Sequence, residues 1–350
     1  MTMSEIAISG RKIGLQYSPY VVAEMSANHN GDIGAALRII EEAKACGADA
    51  VKIQTYTPDT ITLKSDSPDF LIKDGLWAGK TLYELYEWAH TPWDWHQSLF
   101  DHARKIGITI FSSPFDKSAV DFLENLNAPA YKIASFEAVD LGLIRYVAET
   151  RKPVIISTGL ADKEEIAEAI EAAREAGCKD LAILHCVSGY PAPAEDYNLR
   201  TIPDMIERFG LVTGLSDHTL DNATAITSVA LGASLIEKHF TLDRNAGGPD
   251  DSFSLEPTDL TALCRDVRTA WFALGEVNYA RKHSEEPSRR FRRSLYFVRD
   301  MEAGELITEE CIRSVRPGYG LKPKFMSDLI GTVLACSVKA NTPVTIDVLG

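Results

Sequence analysis

Short apolar runs rich in Val, Ile and Ala alternate along the chain with longer stretches of helical period, the pattern of parallel strands joined by crossover helices. Eight such runs fall at 20–23, 50–53, 109–111, 130–133, 154–156, 181–184, 211–215 and 235–237. Amphipathic stretches at 35–46, 119–125, 163–176 and 223–231 lie between them, several closing on Gly as helix C-termini do. Eight β/α units in about 260 residues have the size of a TIM barrel, so the pattern predicts an α/β fold of the (β/α)8 type.

The residues that follow the runs are polar or small. The first run leads into Glu24-Met25-Ser26-Ala27-Asn28-His29-Asn30-Gly31, the second into Lys52-Ile53-Gln54-Thr55 and the third into Ser112-Ser113-Pro114-Phe115. The fourth leads into Lys132-Ile133-Ala134-Ser135-Phe136-Glu137, the fifth into Ser157-Thr158-Gly159 and the sixth into His185-Cys186-Val187-Ser188-Gly189-Tyr190-Pro191. The last two end in histidines, in Gly214-Leu215-Ser216-Asp217-His218-Thr219 and in Glu237-Lys238-His239-Phe240. In a parallel barrel all these ends converge on one rim, where barrel enzymes place their chemistry.

Composition narrows the function. The chain has 350 residues, 45% hydrophobic and 25% charged, ordinary for a globular protein with room for one large domain and a small one. Its net charge of -14 argues against nucleic acid or an anionic membrane surface as partner. No run approaches the roughly 20 apolar residues that span a bilayer, and the stretch 1–12 lacks a signal-peptide pattern, so a cytoplasmic location is expected. Six cysteines without a CxxC pair suggest neither a zinc knuckle nor a disulfide framework.

The rim suggests a substrate. Lys52 and Lys132, with the hydroxyls of Ser135, Ser157, Ser188 and Ser216, suit a phosphate or carboxylate, and Gly159 permits close backbone approach. Taken singly, a strand-end histidine is more often structural than a ligand. His218 and His239 on adjacent strands, beside Asp217, favour a divalent metal whose open positions go to water and substrate. His29 and His185 are either further ligands or hydrogen-bonded loop supports. Glu24 and Glu137 are placed to handle protons or sugar hydroxyls. Gly247-Gly248-Pro249-Asp250-Asp251 reads equally as a plain turn or as a loop covering substrate.

These motifs, in this order over nearly the whole chain, resemble those of the sialic acid synthase family. The resemblance implies a barrel domain over 1–280, a linker over 281–293 and a small antifreeze-like (SAF, β-clip type) domain over 294–350, where Ser294-Leu295-Tyr296-Phe297 and Arg316-Pro317-Gly318-Tyr319-Gly320-Leu321 are similar to that module. Within the family, Thr55-Tyr56-Thr57-Pro58-Asp59-Thr60, Gly75-Leu76-Trp77 and Leu82-Tyr83-Glu84-Leu85-Tyr86 resemble the branch acting on 2,4-diacetamido-2,4,6-trideoxyhexoses. Ser188 stands where sialic acid synthases proper often carry Asn, although legionaminic acid synthases share a Ser there.

The resemblance implies condensation of phosphoenolpyruvate with an open-chain amino sugar. Lys52, Lys132, Ser135, Ser157, Ser188 and Ser216 would hold phosphoenolpyruvate, and Glu24 would relay a proton. Glu137 with Tyr190 would contact the sugar, and His218 and His239 would hold the metal, manganese first with magnesium or cobalt as alternatives. Arg316 would reach the sugar from a partner subunit in a domain-swapped homodimer. Alternatives are an N-acetylneuraminate or legionaminate synthase, a synthase acting on a sugar phosphate, and a non-enzymatic carbohydrate-binding protein.

Overall fold

The computed structural model describes residues 4–350, so residues 1–3 of the N-terminal stretch lie outside it. The chain divides into two units between Gly275 and Glu276. The first opens with a hairpin, β1 (Ile6–Ile8) and β2 (Arg11–Ile13). Eight parallel strands then close into a barrel: β3 (Tyr20–Glu24), β4 (Ala50–Thr55), β5 (Thr109–Pro114), β6 (Tyr131–Ile133), β7 (Val154–Ser157), β8 (Leu181–Cys186), β9 (Val212–Asp217) and β10 (Leu235–His239). Every apolar run of the sequence is one of these strands, and β10 pairs back onto β3 to complete the TIM barrel.

Two cores follow from strand alternation. One face of each strand packs against helices such as Ile33–Ala45, which buries Ala36, Ile39, Ile40 and Ala43 at helical spacing. Asp32 caps that helix by accepting from the Gly34 amide, and Gly47, at φ +94°, turns the chain just beyond it. The other face fills the barrel with Tyr20, Val22, Phe111, Ile155, Leu184 and Leu235. Ile6, Ile8 and Ile13 of the hairpin join this inner cluster. The N-terminal mouth is thereby stoppered with apolar side chains, which leaves the opposite mouth for chemistry.

The second unit is built on β11 (Ser294–Phe297) paired antiparallel with β12 (Ile312–Val315) over a core of Leu295, Phe297, Ile307, Ile312 and Val344. A 3-10 segment, His283–Phe291, precedes β11 within this unit. Among the described residues no helix is long and apolar enough to cross a membrane.

Candidate active site at the C-terminal mouth

Successive side chains of a strand point to opposite faces, so the residues two and four beyond an inner core residue also face inward. From Tyr20 and Val22 this alternation delivers Glu24, and from Ala50 it delivers Lys52 and Gln54. Ala130 leads to Lys132, Ile155 to Ser157, Val212 to Ser216, and Leu235 to Glu237 and His239. Pairing then sets neighbours: Glu24 lies opposite both Lys52 and His239, and Ser216 opposite both Cys186 and Glu237.

The centre of the mouth is a buried charge cluster. Lys52 Nζ lies 2.9 Å from Glu237 Oε1 and 3.3 Å from Glu24 Oε2, and Lys132 Nζ lies 3.4 Å from Glu237 Oε1. Burial works against charge on Glu237, but the two ammonium groups more than offset it and hold its carboxyl well below the usual range. Glu24 moves the other way: burial raises it, and the charge of Glu237 adds to that against the pull of Lys52. Glu237 therefore carries the negative charge while Glu24 retains a proton near neutrality. Gln54 Nε2 donates to Glu24 Oε1 at 2.9 Å, and Oε2 is the oxygen that faces Lys52. Burial, with Lys52 nearby, pushes Lys132 down to about 8 despite the pull of Glu237.

Beside this cluster lies a cradle. A Cβ on Gly159 would sit 2.3 Å from Ser188 Oγ, 2.8 Å from Ser135 Oγ and 3.2 Å from Cys186 Sγ. Five buried side-chain atoms without a hydrogen-bond partner among the described residues belong to this mouth: Ser157 Oγ, Ser188 Oγ, Glu137 Oε2, Glu237 Oε2 and His239 Nδ1. Buried polar atoms are normally paired, so this concentration marks where a polar ligand completes the bonding. Gly159→Ala fills the cradle; the expected result is a fall of about 10²-fold in kcat/KM for an anionic substrate with the melting temperature nearly unchanged, checked by steady-state kinetics and calorimetry.

The two rim histidines come together, their ring centroids 5.5 Å apart. His218 Nδ1 donates to the Val187 carbonyl at 2.8 Å; burial works against charge on this ring, but its bonds to Cys186 and to that carbonyl more than offset it and raise the imidazole above its ordinary range. Burial and the adjacent His218 and Lys52 charges hold His239 well below the ordinary imidazole range, so it is a neutral donor. His239 thus has the chemistry of a metal ligand as it stands, and His218 acquires it when a cation displaces its proton. No cluster of three His, Cys, Asp or Glu that could hold an ion occurs among the described residues, so they fit a metal only as a pair completed by water or substrate. The loop bearing His218 is braced from behind by Lys238, whose Nζ donates to Asp217 Oδ2 at 2.9 Å, the Thr219 carbonyl at 2.7 Å and the Asp221 carbonyl at 2.8 Å. Tyr197 Oη accepts the His218 amide at 2.6 Å.

Tyr190 packs against His218 at a 42° tilt, with centroids 4.4 Å apart, and it lines one cavity with Glu137, whose carboxyl burial pushes up to about 7. Arg316 is exposed in the second unit. His29 and His185 are loop supports: His29 bonds Thr91 Oγ1 and the Gly31 amide, and His185 bonds the Tyr197 carbonyl. Sequence reading did not single out Glu237 or Gln54, and held Asp250 only as part of a loop read equally as a plain turn or a substrate cover. The first two share inward parity with His239 and Lys52, a signal present in the strands themselves. Asp250 offered no such signal: it reaches the mouth through loop closure, accepts from Ser26 Oγ at 2.6 Å, and is pushed up to about 6 by burial.

Comparison with known proteins supplies the context. A model of the NeuB family matches residues 39–279 and one of the SAF domain matches residues 292–349. Pseudaminic acid synthase of Campylobacter jejuni subsp. jejuni serotype O:2 is 46% identical over 91% of this chain and 93% of that protein. Pseudaminic acid synthase of Helicobacter pylori is 44% identical over 94% of this chain and 97% of that protein. Among solved structures, N-acetylneuraminic acid synthetase from Leptospira borgpetersenii serovar Hardjo-bovis, in complex with citrate, superposes with a TM-score of 0.73 at 30% identity over 82% of this chain and 95% of that one.

Proposed function

The chain belongs to the NeuB family, and from that membership we propose that it is a pseudaminic acid synthase, condensing phosphoenolpyruvate with 2,4-diacetamido-2,4,6-trideoxy-altrose to give pseudaminic acid and phosphate. The observation that carries this reading is the convergence of two buried lysines with unpartnered hydroxyls around the Gly159 cradle, beside two imidazoles whose ring centroids are 5.5 Å apart.

Lys52 and Lys132 bind the carboxylate and phosphate of phosphoenolpyruvate, with Ser135, Ser157, Ser188 and Ser216 completing the oxygens. The C3 carbon of phosphoenolpyruvate attacks the sugar aldehyde, a carbon–carbon bond forms and the carbonyl oxygen takes a proton. Positive character develops at C2, water adds there, and phosphate leaves as the 2-keto acid forms. Glu24 gives its proton to that carbonyl oxygen and then, as carboxylate, takes or relays the proton given up by the water. Glu137 and Tyr190 orient the sugar. A divalent cation held by His218 and His239, manganese in preference to magnesium or cobalt, supplies Lewis acidity at the sugar carbonyl when bound. Five of the six cysteines are buried and all are free, which suits the reducing cytoplasm to which we assign the reaction.

The direct test is phosphate release from phosphoenolpyruvate with manganese and each sugar separately. Release with the trideoxy-altrose supports the proposal. Release only with N-acetylmannosamine or the legionaminic precursor moves the substrate, and release with none overturns the reaction.

The free enzyme binds its anion with Lys132 charged, so attraction is lost as pH rises through about 8. Above that value kcat/KM for phosphoenolpyruvate is expected to fall about tenfold per pH unit, and Lys132→Arg, which stays charged, should lose this limb. We also assign the active form to a domain-swapped homodimer in which Arg316 serves the partner subunit's sugar. Mixing inactive Arg316→Ala and Lys52→Ala proteins should then restore activity through heterodimers; none after verified subunit exchange counts against it.

A further inference from the structure

A cavity of about 490 Å³ opens above the polar floor just described, and its outer wall has a different character. Ser26, Gln54, Glu137, Ser188, His239 and Asp250 form the floor. The wall comes from the segment between β4 and β5, where the helix Leu82–Ala89 presents Leu82, Leu85, Tyr86 and Ala89 to the cavity. These positions follow i, i+3, i+4, i+7 spacing, so a complete apolar stripe faces the cavity. The helix is held by a capping box in which the Glu84 amide donates to Thr81 Oγ1 at 3.2 Å and the Thr81 amide to Glu84 Oε2 at 2.8 Å.

The wall continues across the mouth. Ile61 and Ile72 line it beside the helix, and Trp77 pins the intervening loop by donating its indole N–H to the Pro249 carbonyl at 2.9 Å. Its ring lies 5.9 Å from that of Tyr190. Among the described residues no lysine or arginine lines the cavity, and the charged group of the wall is the carboxylate of Asp74. An anionic group on the far end of a substrate would meet that carboxylate without a cation to offset it.

We propose that this wall, with Leu85, Ile72 and Tyr86 at its centre, is the specificity determinant that reads the deoxygenated, acetamido-bearing far end of the sugar. The inference rests on the proposed synthase reaction. Under that reaction the aldehyde must reach the polar floor, so the opposite end of the six-carbon chain meets the wall. An apolar stripe gains from the C6 methyl and the 4-acetamido methyl. Its aliphatic members Leu82, Leu85, Ile61 and Ile72 offer a C6 hydroxyl no partner, and Asp74 repels a C6 phosphate.

The experiment compares kcat/KM for the 2,4-diacetamido-2,4,6-trideoxy sugar and its 6-hydroxy counterpart in the parent, Leu85→Asn and Ile72→Ser proteins. Sugar binding is followed in parallel by intrinsic tryptophan fluorescence. The parent is expected to favour the deoxy sugar by about 10- to 100-fold, and each variant to lose about tenfold of that ratio while KM for phosphoenolpyruvate shifts by less than about twofold. Leu85 is buried, whereas Ile72 is only partly buried in a loop, so Ile72→Ser keeps the test open if Leu85→Asn fails to fold. An unchanged ratio in the folded variants, or a parent that does not discriminate, overturns the proposal. Phosphate release by the parent with neither sugar instead overturns the underlying reaction, and the wall's assignment with it.

Discussion

Glu237→Gln should melt on the order of 10 °C below the parent protein and recover much of that loss when phosphate or phosphoenolpyruvate is added. In the parent, Glu237 Oε1 is the shared acceptor of Lys52 at 2.9 Å and Lys132 at 3.4 Å, with all three side chains buried. A neutral amide leaves two ammonium groups facing each other, and breaking a buried pair in this way costs about 3–5 kcal/mol. For a domain of this size each kcal/mol lowers the melting temperature by roughly 2–4 °C. An anion that binds the folded protein returns stability by mass action, about 2.7 kcal/mol at a hundredfold excess over Kd. It also no longer competes with Glu237 for the lysines. The anion-induced rise in melting temperature should therefore be larger in the variant than in the parent, while turnover falls by about 10²-fold because the lysines are no longer held in place. Calorimetry with and without phosphate checks both parts, and an equal rise in the two proteins would remove Glu237 from its assigned role.

The double substitution His218→Ala with His239→Ala should abolish saturable manganese binding and lower turnover by about 10³-fold or more, since Lewis-acid polarisation supplies several kcal/mol and each 1.36 kcal/mol is about tenfold in rate. His239 is neutral in the folded protein, so its removal strands no charge, and Lys238 and Tyr197 still brace the loop that carries residue 218. The fold is expected to persist, which separates this outcome from unfolding. Equilibrium dialysis with manganese reads the site independently of turnover. In the parent, a chelator should remove activity and added manganese restore it. A double variant still active after chelation would sink the assignment. One that still binds manganese would shift the ligands toward Glu24 or Asp250, whose Oδ2 lies 3.8 Å from His239 Nδ1.

The barrel was legible because its cause is local. A parallel strand covered on both faces must be apolar along its length, so eight such runs separated by helical periods leave few alternatives. The candidate residues were legible for a related reason: a polar or small residue at the end of an apolar run has no burial motive and stands out. Glu237 was overlooked because it sits inside β10, although its parity with Leu235 and His239 places it in the mouth. The Leu82–Ala89 stripe was equally visible as an amphipathic helix, yet its spacing alone does not distinguish a face turned to the core from one turned to a cavity.

Sequence by itself determined the eight-stranded barrel, the face each strand residue takes and the identity of the lysines, hydroxyls and histidines at the strand ends, since periodicity and alternation are properties of neighbours along the chain. Only the tertiary structure decided which carboxyl holds charge and which holds a proton, because both are buried and it is the placement of Lys132 and Lys52 around Glu237, and of Glu237 beside Glu24, that separates them. It also decided that Asp250 reaches the mouth and that the 56–89 segment walls it. These contacts join residues more than a hundred positions apart, such as Trp77 with Pro249, and arise only once the barrel has closed.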